Sequence, residues 1–443
     1  MLAHSHSVRL DRDRCMGCTN CIKRCPTEAI RVREGKAHII DERCIDCGEC
    51  IRICPHFAKY AVTDPIESIN AYRYRIALPA PTLYGQFKKI KSIDHVISAL
   101  HAIGFDSVFD VARGADIVTA ATREYIQNED LPRPIISSAC PAVVRLLKVR
   151  FPNLLPNLLP FNAPIELAAR IAKKEFCEKR RVSAQEVGTF FLTPCPAKMT
   201  FIKNPLGIEK SEVDGCISIL DVFGLIESNL DKVTTRGVTE PHASHLGIGW
   251  AAAGGEATAL RSENYLAVDG IHNVAQVLEE IENGKLSDLF FFEGLACVGG
   301  CVGGPLVFEN KYVAKNRIRK LTETFNSAKM LPPHVRTYVH SKDLRLTQPI
   351  EPLPVEKLDE NLAVAMQKME QLERINAQLP GLDCGSCGSP SCHAFAEDIV
   401  RGEATELDCI FLLRDKVRYL ARELVELAEE KDPQRQQTEG KEQ

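Results

Sequence analysis

Most of the 18 cysteines in this chain of 443 residues fall into groups with the spacing of metal ligands. Thiolates bind zinc and iron–sulfur clusters, and a reducing compartment keeps them free for that purpose. So many cysteines without a secretory signal therefore indicate metal ligation and not a disulfide framework.

The first group is a repeat near the amino terminus. Residues 15–26 read CMGCTNCIKRCP and residues 44–55 read CIDCGECIRICP. In this bacterial ferredoxin spacing, three close thiolates hold one 4Fe-4S cluster and the fourth cysteine binds the other cluster. A pair of zinc knuckles is the alternative, but eight cysteines in this register, with both prolines present, favour the clusters. The predicted ligands are Cys15, Cys18, Cys21 and Cys54 for one cluster and Cys44, Cys47, Cys50 and Cys25 for the second.

The second group lies in the central part of the chain. Cys140, Cys195 and Cys297 end the apolar segments RPIISSAC, VGTFFLTPC and DLFFFEGLAC, and Cys301 follows in CVGGCVGGP. Ligands of open α/β sheets collect outside the carboxyl ends of the strands, so we expect the four thiolates to meet at the rim of a single sheet. The glycines leave room for a bulky inorganic group, and Lys198 places a cation beside it. A zinc ion or a plain 4Fe-4S cluster is the alternative.

The third group lies near the carboxyl terminus and predicts another 4Fe-4S cluster. It resembles a small 4Fe-4S domain found as an extension on electron-transfer and corrinoid iron–sulfur proteins. Zinc is the alternative, because four thiolates can hold either metal. The ligands in this group are Cys384, Cys387, Cys392 and Cys409. Cys177 and Cys216 fall in helical patterns without ligand spacing, so we expect both to be buried core thiols.

The predicted secondary structure that positions these cysteines differs from one part of the chain to the next. From about residue 72 to 345, strand-like apolar runs alternate with helical periodicity, which is typical of α/β architecture. The predicted parts are a ferredoxin-like α+β domain at 1–65, a central α/β domain at 66–350, a coiled-coil-like linker helix at 351–380, a helical 4Fe-4S domain at 381–432 and a disordered tail at 433–443.

Heptad patterns mark two helices in the carboxy-terminal part. In the first, Val355, Leu362 and Met369 occupy one position, Leu358, Ala365, Leu372 and Leu379 occupy the other, and Pro380 ends the helix. In the second, the stripe consists of Leu413, Val417, Leu420, Leu424 and Leu427. The two helices pack either on each other or on another chain, which makes a homodimer or a signalling partner possible.

The overall composition excludes two classes of partner. Lysine and arginine total 55 against 59 acidic residues, and a net charge of -4 gives no broad face for nucleic acid. Residues 1–14 are polar, and the most apolar long stretch, residues 290–308, contains Glu293 and many glycines. We therefore expect a cytoplasmic protein without a membrane span. Residues 249–257, GWAAAGGEA, lack the spacing of a nucleotide loop, so we expect scaffold there.

Three central motifs resemble those of the iron-iron hydrogenases, in that family's order and beside its usual ferredoxin domain. They are SSACP at 137–141, TPCPAK at 193–198 and EGLACVGGCVGGP at 293–305. The resemblance covers roughly residues 1 to 310. It implies an H-cluster, which is a 4Fe-4S cubane joined through a thiolate to a two-iron unit with CO, cyanide and a bridging azadithiolate. Separate maturation proteins make the two-iron unit in this family.

The resemblance also implies roles for individual residues. Cys301 would bridge the cubane to the two-iron unit, and Lys198 would hydrogen-bond an iron cyanide. The other cubane ligands would be Cys140, Cys195 and Cys297. The residues lining the rest of the cofactor would be Ala80 and Pro81, from APTLYGQF, together with Ser138 and Pro194.

Three positions depart from the pattern of the high-turnover members. Ala139 stands where they carry a cysteine that donates a proton to the bridging amine. Phe201 replaces a glutamate that continues the proton relay, and Thr193 replaces a methionine. Loss of a positioned general acid commonly costs about 10²- to 10⁴-fold in rate. In these positions the chain is closer to divergent branches of the family that are regarded as sensory or regulatory.

The sequence therefore predicts a slow hydrogenase that interconverts H2 with protons and electrons. Its clusters would exchange electrons with a ferredoxin or another low-potential partner. Two alternatives stay open, namely a hydrogen or redox sensor that signals to a partner protein, and an electron-transfer subunit with ordinary clusters and no hydrogenase activity.

Overall fold

The fold is described from a computed structural model, for residues 6–235, 238–239, 241–323, 333–353 and 357–430. The chain forms two compact units. The larger unit contains Met1–Arg14 and Asp41–Val355, and the smaller unit contains Cys15–Ile40 and Glu356–Gln443. These borders differ from the predicted domain borders, because the first ferredoxin motif belongs to the smaller unit.

Two parallel sheets form the centre of the larger unit, which confirms the α/β architecture. The four-stranded sheet has the order Ser107–Val108, Tyr74–Pro79, Val187–Thr193 and Gly215–Ser218. The three-stranded sheet has the order Tyr265–Asp269, Phe291–Leu295 and Ile135–Ile136. Every strand pair in both sheets is parallel. A separate antiparallel pair joins Val8–Leu10 to Lys59–Ala61.

The expectation of a single sheet is wrong. Cys195 follows a strand of the four-stranded sheet, whereas Cys140 and Cys297 follow strands of the three-stranded sheet. An apolar run shows that a strand is buried on both faces, but it does not show which other strand pairs with it. The partners of each strand are fixed by contacts between residues far apart in the sequence.

Helices surround the two sheets. Leu78 and Phe191 of the four-stranded sheet and Phe291 of the three-stranded sheet belong to one buried cluster, so the sheets share a core. Full burial of such a side chain contributes roughly 1.5–3 kcal/mol. The helices are Glu49–Ile53, Ile93–Ala102, Val111–Tyr125, Pro141–Arg150, Pro164–Arg180, Pro196–Lys203, Ile219–Leu230, His245–Gly249, Gly255–Leu260, Ile271–Glu282, Lys311–Glu323 and Pro333–Tyr338.

The segment around Cys216 is part strand and part helix, although its pattern predicted a helix throughout. Cys216 lies in the strand Gly215–Ser218 and is fully buried, as expected of a core thiol. The helix begins after Ser218, because the serine hydroxyl caps it by accepting a hydrogen bond from the N–H of Leu220 at 3.0 Å. Cys177 lies in the helix Pro164–Arg180 and is only half-buried.

The smaller unit contains a hairpin, Ile30–Arg33 with Lys36–Ile39, and the helices Asn20–Lys23, Leu362–Gln378, Cys392–Val400 and Ile410–Glu430. A buried ion pair joins the hairpin to the helix Cys392–Val400. The Arg31 Nε donates to the two Asp398 carboxylate oxygens at 2.9 and 2.7 Å, and the Arg33 Nη2 donates to Asp398 at 2.6 Å. These contacts explain why residues 15–40 belong to the smaller unit.

Replacing Asp398 with alanine is expected to destabilise the smaller unit by about 3–5 kcal/mol, because the buried Arg31 loses its counter-charge. The denaturant midpoint of the cluster-loaded protein measures this loss. Asp415→Ala is the control, since the ion pairs of Asp415 are exposed and long, at 3.8 and 3.9 Å. It should change stability by at most about 0.5 kcal/mol. Equal midpoints for the two variants would contradict the prediction.

The first heptad helix is shorter than predicted, and only one of the two predicted heptad positions is buried, at Leu358, Leu372 and Leu379. It begins at Leu362, after the Asn361 side chain accepts hydrogen bonds from two backbone N–H groups, and Val355 lies outside the described residues. Leu372 and Ile375 are buried, whereas Leu362 and Met369 are exposed. The stripe on the second helix is exposed throughout, at Leu413, Val417, Leu420, Leu424 and Leu427. The predicted tail at 433–443 also lies outside the described residues.

Within the described part of the chain, we find no helix that is both long enough and apolar enough to cross a membrane.

Candidate active site

Two of the central cysteines stand where a loop meets a helix. Cys140 directly precedes the helix Pro141–Arg150, and Cys195 directly precedes the helix Pro196–Lys203. Both helices begin with proline, whose missing N–H is not needed in the first turn and whose φ suits a helix. The positive end of each helix dipole therefore lies beside a cysteine.

Thr193 closes the turn before Cys195. Its hydroxyl donates to the carbonyl oxygen of Cys195 at 2.9 Å and accepts from the N–H of Cys195 at 3.2 Å. The residue that replaces the usual methionine therefore has a structural role of its own in this chain.

The glycine-rich loop that carries Cys297 and Cys301 packs closely on neighbouring backbone. Gly300 has a φ of +90°, and a Cβ on it would lie 2.4 Å from a backbone nitrogen of another loop. A Cβ on Gly304 would lie 2.2 Å from the carbonyl oxygen of Pro194. We expected the glycines to make room for an inorganic group, but the space at these two positions is filled by backbone. The glycines thereby hold the loop against the turn that carries Cys195.

The four central cysteines come together although they follow strands of two sheets. Burial raises the pKa of Cys297 and of Cys301 to about 12, and the charges of neighbouring thiolates contribute to both shifts. Burial also raises the pKa of Cys195, and the charge of Cys140 adds to it. The four thiols are therefore near enough for their charges to act on one another and on Lys198.

Lys198 is the buried cation of this group. Burial alone would lower its pKa, but Cys301, Cys195, Cys140 and Cys297 raise it above its ordinary value. The Lys198 Nζ donates to a backbone carbonyl oxygen at 3.3 Å. A bound metal displaces the protons of these thiols and binds them as thiolates, and the Lys198 ammonium offsets part of the negative charge that results. The donor set fits a 4Fe-4S cubane.

A cavity of about 70 Å³ lies beside Cys301 and Lys198. Since one water needs about 10–15 Å³ of such space, the cavity can take a group of several heavy atoms, which a zinc ion on four thiolates does not need. Other residues that line it are Ala80, Pro81, Ala139, Phe191, Pro194, Trp250, Glu256 and Glu293. The residues present therefore fit a cubane that carries a further group on the side of Cys301.

Three of the four residues assigned to the rest of the cofactor line this cavity, namely Ala80, Pro81 and Pro194. Ser138 lies at a smaller neighbouring cavity, which Phe201 also lines. The Ser138 hydroxyl donates to a backbone carbonyl oxygen at 2.9 Å.

Two buried glutamates in the cavity wall were not among the predicted site residues. The Ser137 hydroxyl donates to Glu256 at 2.5 Å, and Glu293 accepts from the N–H groups of Gly254 and Ala257 at 2.9 and 2.8 Å. Burial raises the pKa of Glu256 well above its usual range, and the charge of Glu293 raises it further. Burial raises the pKa of Glu293 to about 7, although its backbone donors oppose the shift. Both side chains can therefore hold a proton near neutral pH.

The sequence contains a signal for one of these two glutamates, Glu293. Glu293 interrupts a run of apolar residues that forms a fully buried strand, and an acid in such a place is rarely structural alone. Glu256 lies in the segment GWAAAGGEA, which we interpreted as scaffold. Nothing in the sequence indicates that the two side chains share one cavity wall.

The four carboxy-terminal cysteines line one pocket of the smaller unit. They are Cys384, Cys387, Cys392 and Cys409. The Asp383 carboxylate accepts from the N–H of Cys392 at 2.6 Å, and Ser391 caps the helix that starts there. Four thiols at one pocket form a donor set for a 4Fe-4S cluster or for zinc. The cluster remains a prediction.

The cysteines of the amino-terminal repeat are divided between the two units. Cys44, Cys47, Cys50 and Cys54 belong to the larger unit, and Cys15, Cys18, Cys21 and Cys25 belong to the smaller unit. Backbone N–H groups donate to the sulfur of Cys54 at 3.3 Å and to that of Cys25 at 3.2 Å. Each predicted ligand set combines cysteines of both units, so the two sets stay predictions.

Comparison with known families agrees with the positions of the motifs. Residues 73–265 and 256–305, together more than half of the chain, match the family described as iron only hydrogenase large subunit, C-terminal domain. Residues 7–55 match a 4Fe-4S dicluster domain, and residues 379–411 match an Fe-S cluster family.

Individual proteins are similar at low identity. The chain is 26% identical to the periplasmic [Fe] hydrogenase large subunit of Nitratidesulfovibrio vulgaris, over 68% of this chain and 86% of that protein. It is 27% identical to iron hydrogenase 1 of Clostridium pasteurianum, over 68% of this chain and 64% of that protein. A solved variant of [FeFe]-hydrogenase HydA1 from Chlamydomonas reinhardtii matches 66% of this chain and 97% of its own, with 15% identity and a TM-score of 0.48. Because the family model matches more than half of the chain, the chain belongs to the iron-only hydrogenase large-subunit family.

Proposed function

We propose that the chain is an iron-iron hydrogenase that interconverts H2 with protons and electrons at an H-cluster. The observation that carries this proposal is that the charges of four cysteines act on the buried Lys198, beside a cavity that Cys301 lines. An ordinary cubane would need the four thiolates but neither a buried cation among them nor a cavity on one side. The ligands proposed are Cys140, Cys195, Cys297 and Cys301.

The cofactor, when bound, supplies the redox-active metals at which H2 is formed or split. The protein supplies the four thiolates and holds the Lys198 ammonium beside them. Ala80 and Pro81 exclude water from one wall of the cavity. Their side chains are apolar, and Ala80 is buried.

A proton relay along the glutamates is part of the proposal. Glu256 and Glu293 face the cavity that Ala139 lines, and each can hold a proton at a carboxylate oxygen near neutral pH. The Ser137 hydroxyl orients the Glu256 carboxylate, and the same serine oxygen accepts from the N–H of Ala139 at 3.2 Å. The glutamates therefore offer a proton at the cavity where the side chain of Ala139 has none to give.

A second candidate function is a hydrogen or redox sensor. Ala139 favours it, because the loss of the usual proton donor lowers turnover without removing the cofactor site. An exposed apolar stripe on the last helix provides a surface through which a signal could reach a partner protein. Both functions share the same site and differ in rate and in partners.

Turnover of the matured full-length protein separates the candidates. The protein is loaded with the two-iron unit and supplied with a low-potential donor. Sustained H2 evolution supports the enzyme, whereas a stable cofactor that responds to H2 without sustained turnover supports the sensor. A protein that takes up only ordinary clusters would be an electron-transfer subunit.

The electron partner that we propose is a ferredoxin or another low-potential carrier, because residues 7–55 match a 4Fe-4S dicluster domain. Maturation proteins would deliver the two-iron unit. A cytoplasmic location is also proposed, since the many cysteines suit a reducing compartment.

The exposed stripe on the helix Ile410–Glu430 fits a second copy of this chain. Leucines at positions 413, 420 and 427 alternate with Val417 and Leu424, which is the spacing of a coiled-coil seam. Lys416 and Glu423 flank the seam at equivalent heptad positions. In an antiparallel pair, Lys416 of one copy lies opposite Glu423 of the other, and the symmetry repeats this contact. The helix is therefore self-complementary in charge as well as in shape.

Leu420→Glu is expected to convert a dimer of the full-length protein into a monomer, because it places a charge in the centre of the seam. Light scattering measures the molar mass against that of a single chain, 49.2 kDa. Arg422→Glu, on the opposite face of the helix, is the control and should leave the dimer intact. A wild-type protein that is monomeric at high concentration would rule out this interface.

A further inference from the structure

Arg52 joins the second ferredoxin motif to the proposed H-cluster site. It lies in the helix Glu49–Ile53, and its Nη2 donates to the sulfur of Cys297 at 2.8 Å. The same Nη2 donates to the carbonyl oxygen of Gly303 at 3.0 Å, while Nη1 donates to Glu49 at 3.0 Å. Hydrogen bonds from both terminal nitrogens, Nη1 and Nη2, thus hold the guanidinium in place.

The position of Arg52 in the motif places it beside cluster ligands. The motif reads C-I-R-I-C from Cys50 to Cys54, so Arg52 lies two residues from each cysteine. Its helix packs tightly on the loops of the central site, because a Cβ on Gly48 would lie 2.6 Å from the Pro305 ring and 3.3 Å from the Pro196 ring. A larger residue at position 48 would push the helix and Arg52 away from Cys297.

The positive charge of Arg52 lies beside the sulfur of Cys297 and within the second ferredoxin motif. Arginine stays protonated in proteins, and the guanidinium of Arg52 bonds to Cys297 and Glu49, so it keeps its positive charge there. A hydrogen bond to a ligand sulfur and a positive charge nearby both favour the reduced, more negative state of an iron–sulfur cluster. A hydrogen bond between charged groups contributes more than a neutral one.

We propose that Arg52 is a positioning residue that raises the reduction potential of the cubane on Cys297, so that an electron from the second ferredoxin motif is retained there. The step moves one electron out of the reduced ferredoxin-type cluster and one electron into the cubane. Arg52 keeps its proton throughout, so no proton transfer accompanies the step. The inference rests on the proposed function, because it requires a cubane on Cys140, Cys195, Cys297 and Cys301.

The repeat provides a matched control. Lys23 occupies the position in the first motif that Arg52 occupies in the second, two residues after the third cysteine. Its Nζ donates to the carbonyl oxygen of Pro390 at 3.2 Å, within the smaller unit. Lys23→Gln therefore removes one positive charge from the equivalent place in the sequence without removing the contact to Cys297.

The test is a redox titration followed by electron paramagnetic resonance, on full-length protein that carries its 4Fe-4S clusters but has not received the two-iron unit. The cubane signal is identified as the one that Cys195→Ala abolishes. Arg52→Gln should shift the cubane's reduction equilibrium about tenfold against reduction, which is a fall of about 59 mV for one electron. Arg52→Lys should shift it less, because it keeps the charge, and Lys23→Gln should leave it unchanged.

The outcomes separate this inference from the proposed function. A cubane whose potential is the same in wild type and in Arg52→Gln overturns the role of Arg52 and leaves the proposed function intact. An equal shift in Lys23→Gln also overturns it, because the effect would then be one of general charge. If the wild type has no signal that depends on Cys195, the proposed function fails, and this inference fails with it.

Discussion

Glu256→Gln is expected to lower the H2 evolution of the matured protein by about 10²- to 10⁴-fold, the range for loss of a positioned general acid. Glutamine keeps the size of the side chain and can still bond to Ser137, but it cannot exchange a proton at neutral pH. Glu256 is 3% exposed and lines the cavity beside Cys301, so no bulk water replaces its function. The rate with a low-potential donor measures the effect.

Glu166→Gln is a closely matched control for this variant. Glu166 is 1% exposed and accepts from the hydroxyl of Ser211 at 2.5 Å, the same distance as between Ser137 and Glu256. Burial raises its pKa as well, but neither Glu166 nor its partners Ser211 and Glu212 are among the residues that line the cavity. We expect its rate to stay within about threefold of the wild type. A Glu256 variant of full activity, or equal losses in both variants, would contradict the relay.

Ala139→Cys is expected to raise the rate of H2 evolution by about 10²-fold, near the lower end of the range for an added general acid. Ala139 lines the cavity, so a thiol at this position meets the bound group directly. The same change in the Glu256→Gln background should restore most of the lost activity, because the thiol offers a proton on the same cavity. Steady-state H2 evolution by the single and double variants tests both statements.

The serine variant at the same position tests whether the thiol acts as an acid. Ala139→Ser adds a group of similar size, but a hydroxyl does not ionise near neutral pH, whereas a thiol has an ordinary pKa of about 8.5. The serine protein should therefore remain as slow as the wild type. If Ala139→Cys leaves the rate unchanged or lowers it, the missing proton donor is not the reason for slow turnover.

The central cysteines could be predicted from the sequence because ligation depends on residue type and local spacing. Cys140, Cys195 and Cys297 each follow an apolar strand, Cys301 follows in the glycine-rich loop, and all four remain predicted ligands. Their arrangement on two sheets could not be predicted, since the pairing of Phe291–Leu295 with Ile135–Ile136 joins residues more than 150 positions apart. Local patterns specify a strand but not its neighbours.

The polar residues of the site were harder to predict. Glu256, Glu293 and Arg52 have no characteristic spacing relative to the cysteines, and their roles depend on side chains that meet across distant loops. Arg52 is 245 positions from Cys297 in sequence, yet the two are in hydrogen-bond contact. The role of the glycines was also hard to predict. Their number suggested room for a cofactor, whereas Gly300 and Gly304 serve the contact between two backbone segments.

The most direct test of the central claim is infrared spectroscopy of the matured full-length protein, beside Cys301→Ser treated in the same way. We expect stretching bands of bound CO and cyanide in the wild type, because Cys301 and Lys198 would hold a two-iron unit in the cavity. We expect these bands to be lost or greatly weakened in Cys301→Ser, while the ferredoxin-type clusters remain. A wild-type protein with a full complement of iron and sulfide but without such bands would contradict the claim.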